Sequence, residues 1–487
     1  MHVLALTVCV TSAYAAPPNV LFIAIDDLRP ELGCYGRPVQ SPNIDRLARE
    51  GTLFERAYVQ CALCMPSRVS VLTGRRPDTT GVVDFSVRFR NVISDVVTLP
   101  QLFRNNGYHA TAFGKLFHRD DPVSWSEPLW KSNRSEYHTD FGKQVLEWIK
   151  EDHRRLTYVW DLGDGITKTK RPGGLAWEAP DVPDSALRDG HIADAVISKM
   201  KDLRDEPFFL AVGFHKPHLP FIAPKEYFDL YDRDQIPLAT NPFPPRDAPN
   251  FATYNWNDLR HYYGIPDVGP VSEDQARDLK HAYYACVTYA DAQVGRLLAA
   301  LDANELSDNT IVVLWGDHGW QLGEHGMWDK HSNFETSTHA PLIIRVPGQK
   351  PGRTTALVEF VDIYPTLCEL CDLPQGDGLE GHSFVPLIRD PQRNWKSAAF
   401  SQYRRVIPGY GDVARGMGYS MRTDRYRFTE WLVPGTGFRA YELYDHRVDP
   451  DENINLADSA PHEQVVDDLK TQLKAGWKAA VPDNVPR

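Results

Sequence analysis

The chain has 487 residues, enough for two domains of unequal size. Hydrophobic residues make up 42% and charged residues 24%, an ordinary globular composition that excludes a disordered, collagen-like or disulfide-scaffold protein. With 53 Lys and Arg against 65 Asp and Glu the formal net charge is −12, which argues against a nucleic-acid-wrapping face and demands a local cationic pocket for any anion it handles.

Met1–Ala16 reads as a removable signal segment. Val3 to Val10 is apolar, Ala13-Tyr14-Ala15 is a small-x-small cleavage pattern, and Pro17-Pro18 would stop a strand there. It predicts a secretory route, ending in a lysosome or outside the cell. Beyond it no apolar run approaches the ~20 residues that span a bilayer, so no transmembrane segment is expected. Asn133-Arg134-Ser135 is a glycosylation sequon.

Four apolar runs end in polar residues. Val20–Ile25 is followed by Asp26-Asp27, and Tyr108–Phe113 by Gly114, Lys115 and then His118. Phe208–Phe214 is followed by His215, and Ile311–Trp315 by Gly316, Asp317 and His318. Short continuous apolar runs suit strands covered on both faces, as in parallel sheets, and open α/β sheets place ligands at the carboxyl ends of such strands. One Asp or His after a strand is ordinarily a turn or cap; four such endings form a constellation.

Between the runs lie helices. Pro42 to Glu50 has Pro in its first turn and Gly51 at its end. Glu273 to Ala303 follows Ser272, with Gln275 completing a capping box. Its stripe of Leu279, Tyr283, Val287, Ala290, Val294, Leu297 and Leu301 reads as core packing. Residues 119–190 and 234–271 read as irregular. Past Arg389 the pattern changes: Gly418–Thr423, Arg425–Trp431 and Ala440–Tyr444 read as antiparallel strands, and His462–Ala479 as a final helix. The expected division is a catalytic domain over 17–389 and a smaller α+β unit over 390–487. Cys368 and Cys371 read as core thiols or a local disulfide.

Cys64-Met65-Pro66-Ser67-Arg68, followed by Leu72-Thr73-Gly74, fixes seven positions. At roughly 5% per position a chance match in this length is below about 10⁻⁶. Pro66 suits a first helical turn, which would set Cys64 at a helix N-terminus, where backbone N–H groups favour an anion. The motif resembles the signature of the formylglycine-dependent sulfatases of the alkaline phosphatase superfamily. The resemblance implies an alkaline phosphatase-like fold, a mostly parallel sheet between helical layers. It implies that Cys64 is oxidised to formylglycine by a formylglycine-generating enzyme, and that one Ca²⁺ per chain is held by Asp26, Asp27, Asp317, His318 and modified Cys64. His318 stands where many relatives have Asn.

Gly114-Lys115-Leu116-Phe117-His118 resembles the family's G-K-x-x-H. By that resemblance Lys115 binds sulfate and His118 hydrogen-bonds the aldehyde hydrate. His215, in His215-Lys216-Pro217-His218, and Lys330, in Trp328-Asp329-Lys330, match residues that contact the sulfate and the leaving oxygen. Arg68 is implied beside formylglycine, and His218 reads as structural. Asp26-Asp27-Leu28-Arg29-Pro30, Gly74-Arg75-Arg76-Pro77-Asp78 and Asp317-His318-Gly319-Trp320 resemble the branch acting on iduronate 2-sulfate, implying Trp320 as a substrate contact. The expected substrates are sulfated glycosaminoglycan fragments bearing 2-O-sulfated terminal iduronate in dermatan or heparan sulfate. Competing readings are another sulfated sugar, a phosphonate or phosphodiester, and a secreted glycan-binding protein with unmodified Cys64.

Overall fold

A computed structural model describes residues 17–151, 158–161, 167–170, 173–253, 257–407 and 415–482. The expected signal segment lies outside the described residues. Seven strands form the main sheet: β1 (Asn19–Ile25), β2 (Thr52–Tyr58), β3 (His109–Gly114), β4 (Phe208–Phe214), β5 (Thr310–Gly316), β6 (Leu342–Arg345) and β7 (Gly352–Glu359). Their spatial order is β7-β2-β6-β5-β1-β4-β3. All neighbours are parallel except β6, which runs antiparallel to β5 and β2.

All seven residues of β1 are buried, and the strand alternates between two cores. Leu21, Ile23 and Ile25 pack with helices α1 (Pro42–Glu50), α4 (Arg188–Asp202) and α5 (Glu273–Ala303). Val20, Phe22 and Ala24 pack with α2 (Cys64–Thr73), α3 (Leu99–Asn105) and α6 (Ile363–Leu370). A strand with apolar residues on both faces has no solvated side, which is why the central strands are continuous apolar runs. The expected α1 and α5 form with their predicted bounds, and the Ser272–Gln275 capping box closes.

Four strands make a second, antiparallel sheet in chain order: β8 (Ala398–Val406), β9 (Arg415–Thr423), β10 (Tyr426–Leu432) and β11 (Arg439–Asp445). Helix α7 (Glu463–Ala475) backs it, with Val466 and Leu469 in the same apolar cluster as Met421, Phe428 and Leu443. Lys396, 5% exposed, ties the approach to this sheet to the main one through Glu359 (2.9 Å) and Asp362 (2.7 Å).

Two expectations change. The final helix stops at Ala475, because Gly476 at φ 76° leaves the helical region, and a separate turn Trp477–Ala480 follows. The stretch 119–190, read as irregular, carries a helix over Asp140–Glu151 that buries Val145 and Ile149. Cys34, Cys61, Cys64, Cys286, Cys368 and Cys371 are free thiols, so Cys368 and Cys371 are core thiols. Among the described residues no helix is long and apolar enough to cross a membrane.

Candidate active site

The parallel register brings four carboxyl ends level: Ile25 pairs with both Phe214 and Gly316, and Gly114 with Gly213. The next residues, Asp26, Asp27, Lys115, His215, Asp317 and His318, therefore emerge side by side. Asp27 turns at φ 58°, and its backbone N–H donates to Asp317 Oδ1 at 3.0 Å. Gly213 is required by proximity, since a Cβ there would lie 1.9 Å from the Lys115 carbonyl oxygen. Cys64 opens α2, a helix with all ten residues buried. Ser67 Oγ donates to the Asp317 carbonyl at 2.5 Å and fixes the helix on that strand end.

Asp26, Asp27 and Asp317 are at most 1% exposed, and three cations face them. Arg68 donates through Nε to Asp317 Oδ2 (2.7 Å) and through a terminal nitrogen to Asp26 Oδ1 (3.0 Å). Its remaining donor meets the carbonyls of Leu116 (3.1 Å) and Lys115. Lys115 Nζ lies 2.5 Å from Asp26 Oδ2, and Lys330 Nζ lies 3.1 Å from both Asp27 oxygens. Burial works to raise Asp26, but Lys115 and Arg68 outweigh it and hold this carboxyl well below the usual range. Burial pushes Asp27 well above that range against the pull of Lys330, and Asp26 and Asp317 add to the push. Burial also pushes the Cys64 thiol well up, with Lys115 and Lys330 opposing.

His318 Nε2 lies 3.2 Å from Cys64 Sγ, 3.4 Å from Asp27 Oδ1 and 3.6 Å from Asp317 Oδ1. Its Nδ1 is 3.0 Å from the Gly319 carbonyl, which can only accept. Nδ1 therefore carries the hydrogen of the neutral ring, and Nε2 turns a lone pair to the carboxylates. Burial pushes this ring down to about 4. His218 repeats the device: Nδ1 donates to Leu219 O (2.6 Å) and Nε2 lies 3.8 Å from Asp27 Oδ2. Ligand atoms of Asp26, Asp27, Cys64 and His218 lie within 4.8 Å of one another, as do those of Cys64, Asp317 and His318. Three buried carboxylates that repel one another, with two neutral imidazole lone pairs beside them, fit a divalent cation by the chemistry of their donors.

Of the residues singled out from sequence, Asp26, Asp27, Cys64, Arg68, Lys115, Asp317, His318 and Lys330 form one connected cluster. Arg68 sits beneath it, fully buried, with its donors committed to acids and carbonyls. His215 stands at the rim with a quarter of its side chain exposed. His118 is exposed, with its ring centroid 4.6 Å from that of Phe85. Trp320 is 0% exposed, and Lys330 Nζ lies 5.1 Å from its ring centroid, so its ring packs against the lysine. Asn133 is exposed on a loop. Sequence reasoning missed His218 as a member of the cluster, though its spacing from His215 was a signal. It also missed Asp189, which accepts from the His215 backbone and has no local motif.

A buried cation-and-acid cluster at the carboxyl ends of a mostly parallel sheet, with a cysteine opening a buried helix, defines an anion-processing hydrolase. The sulfatase family profile matches residues 18–373, and the profile for the C-terminal region of N-sulphoglucosamine sulphohydrolase matches 323–478. The chain belongs to the sulfatase family and is a sulfatase enzyme that hydrolyses sulfate esters. It is 37% identical to iduronate 2-sulfatase of Homo sapiens, an alignment covering 90% of each chain. It is 31% identical to a sulfatase of Formosa agariphila over 95% of this chain and 88% of that one. The phosphonate monoester hydrolase of Agrobacterium radiobacter shares the fold: TM-score 0.72, 24% identity, 94% of this chain and 95% of that one covered.

Proposed function

We propose that the protein removes the 2-O-sulfate from terminal iduronate in dermatan and heparan sulfate fragments. The observation that carries this reading is Cys64 at the start of a buried helix, against His318, with the charges of Lys115 and Lys330 both acting on its thiol. The likeness to iduronate 2-sulfatase over nine-tenths of both chains supports the sugar. Cys64 is proposed to be converted to formylglycine by the formylglycine-generating enzyme, whose hydrate supplies one hydroxyl to attack sulfur and a second to release sulfate. The proposed Ca²⁺, held by Asp26, Asp27, Asp317 and His318 with modified Cys64, supplies polarisation of the sulfate oxygens.

The chain's own groups do the remaining work. Lys115 and Lys330 bind sulfuryl oxygens and offset the charge that builds on them. Asp317 receives the proton of the attacking hydroxyl. His215 gives a proton to the departing sugar oxygen. Arg68 fixes Asp26 and Asp317 relative to each other. His118 is proposed to hydrogen-bond the aldehyde hydrate. Residues 17–389 are proposed as the catalytic unit and 390–487 as its partner. The exposed Asn133 and the leading apolar segment support a secretory route to a lysosome or the exterior.

The test is twofold. Mass spectrometry of the Cys64 peptide from active protein made in a secretory host should show the aldehyde, and a peptide holding only the thiol would reject formylglycine. A panel of sulfated disaccharides should show strong preference for the 2-O-sulfated iduronate end. Equal rates on a 6-O-sulfated glucosamine end would reject the sugar assignment.

A further inference from the structure

We infer that Asp189 is the positioning residue for His215: it holds the ring by Nδ1 and stabilises its protonated form, so that Nε2 delivers the proton to the leaving oxygen. This rests on the reading of His215 as the acid in the step that frees the sugar.

Asp189 lies in the first turn of α4, 1% exposed, where the helix dipole favours a negative charge. Its Oδ1 accepts the His215 backbone N–H at 2.9 Å and lies 3.3 Å from His215 Nδ1. Its Oδ2 accepts the Lys216 backbone N–H at 2.7 Å. One carboxylate thus fixes both the main chain and the ring of the same residue. The acids of the main cluster differ, since Asp26, Asp27 and Asp317 each face a lysine or arginine. Among the described residues no lysine or arginine pairs with Asp189, and the side chain within its reach that can take up a positive charge is His215, with Nδ1 at 3.3 Å. A buried carboxylate gains most from a partner that becomes charged, and a quarter of the His215 side chain is exposed.

The proton accounting is direct. As the S–O bond to the sugar breaks, its electron pair passes to the sugar oxygen, which takes the Nε2 proton. The ring becomes neutral with Nδ1–H still on Asp189, and Nε2 regains a proton from solvent before the next turnover. The arrangement matters only where the leaving group needs a proton. A sugar alkoxide does, whereas a nitrophenolate does not.

The experiment measures kcat on an alkyl ester, methyl 2-O-sulfo-iduronide, and on an aryl ester, 4-nitrophenyl sulfate. The variants are Asp189→Asn, His215→Ala and the double substitution, all carrying the modified Cys64. General-acid catalysis contributes on the order of 10²–10⁴-fold, so loss of its orientation should remove about 10–100-fold on the alkyl ester and under about 3-fold on the aryl ester. In the His215→Ala background Asp189→Asn should cost nothing further. Equal losses on both esters, or losses that multiply in the double variant, would overturn the assignment, because a carboxylate that merely braces the loop acts on every substrate and without His215. If His215→Ala itself slows both esters equally, the acid role fails and the inference with it. If His215→Ala is alkyl-selective and Asp189→Asn is not, only the inference fails. Should the Asn variant not fold, Asp189→Glu, which keeps the charge but shifts it, should show a smaller loss with the same alkyl selectivity, and an unselective loss would count against Asp189.

Discussion

Arg68 is the keystone of the charge cluster, and removing it should be felt in stability before any substrate is added. Arg68→Ala strips Asp317 of its arginine and leaves Asp26 with Lys115 alone, and it orphans the carbonyl of Leu116. All of these groups are buried, so water cannot replace the lost partner. Deleting one member of a buried pair costs about 3–5 kcal/mol, because the remaining charge is left uncompensated. Unfolding entropy of about 2.1 cal/mol/K per residue over 487 residues is about 1 kcal/mol/K, so the melting temperature should fall by about 3–5 °C. Arg68→Lys keeps the charge but cannot span two carboxylates and a carbonyl with one ammonium, and should lose roughly half as much. Differential scanning calorimetry at neutral pH measures both, with turnover of an aryl sulfate as the parallel readout. A melting temperature within about 1 °C of wild type for Arg68→Ala would refute the view that this guanidinium organises the acids.

Asp317→Ala should lose the bound divalent cation and activity together, read by elemental analysis of the purified protein beside a rate measurement; retained metal at wild-type stoichiometry would contradict the ligand set. Gly213→Ala would drive a methyl into the Lys115 carbonyl at 1.9 Å and break the bond from Lys115 N to Gly213 O (2.9 Å), so kcat should drop at least about 10-fold even though Gly213 touches no substrate. Asp291, which accepts from the backbone of Asn43 and Ile44 at the start of α1, is pushed up to about 6 by burial. Its folded form holds a proton more tightly than the unfolded chain does, so the stability it contributes is full below about pH 4 and drains away as pH rises to about 6. Asp291→Asn should flatten that part of a pH–melting curve, and an unchanged slope would count against the assignment.

The central sheet was legible because β1, β4 and β5 are buried on both faces and so have no polar interruptions. The outer strands were not. Glu55 and Arg56 break β2 where it is half-buried, and β6 has only four residues. Edge strand β7 begins Gly-Arg-Thr-Thr, with Arg353 exposed. The pairing of β2 with β6 and β7 joins residues more than 200 positions apart, which local patterns do not encode. The site residues divide the same way. Those on strand ends or in the Cys64–Gly74 spacing could be read locally. Asp189 works through the backbone of His215 and Lys216, and nothing in its own neighbourhood marks it. Trp320 follows Asp317-His318-Gly319 directly, but its burial against Lys330 comes from tertiary packing that the local motif does not encode.

The burial of α2 sets an order of events in the life of the chain. Cys64 is 2% exposed, every residue of its helix is buried, and Met65, Val69, Val71 and Leu72 pack in the same apolar cluster as the sheet and α6. Once the helix has docked, no second macromolecule can close around that thiol. Any chemistry performed on Cys64 by another protein must be finished while the segment is still open, and a chain that folds first keeps its sulfhydryl for good. If activity rests on the proposed formylglycine, the fraction of active molecules is decided by a race between docking and modification, won or lost once per molecule. A batch of protein with one melting temperature can therefore contain two populations that differ by a single side chain.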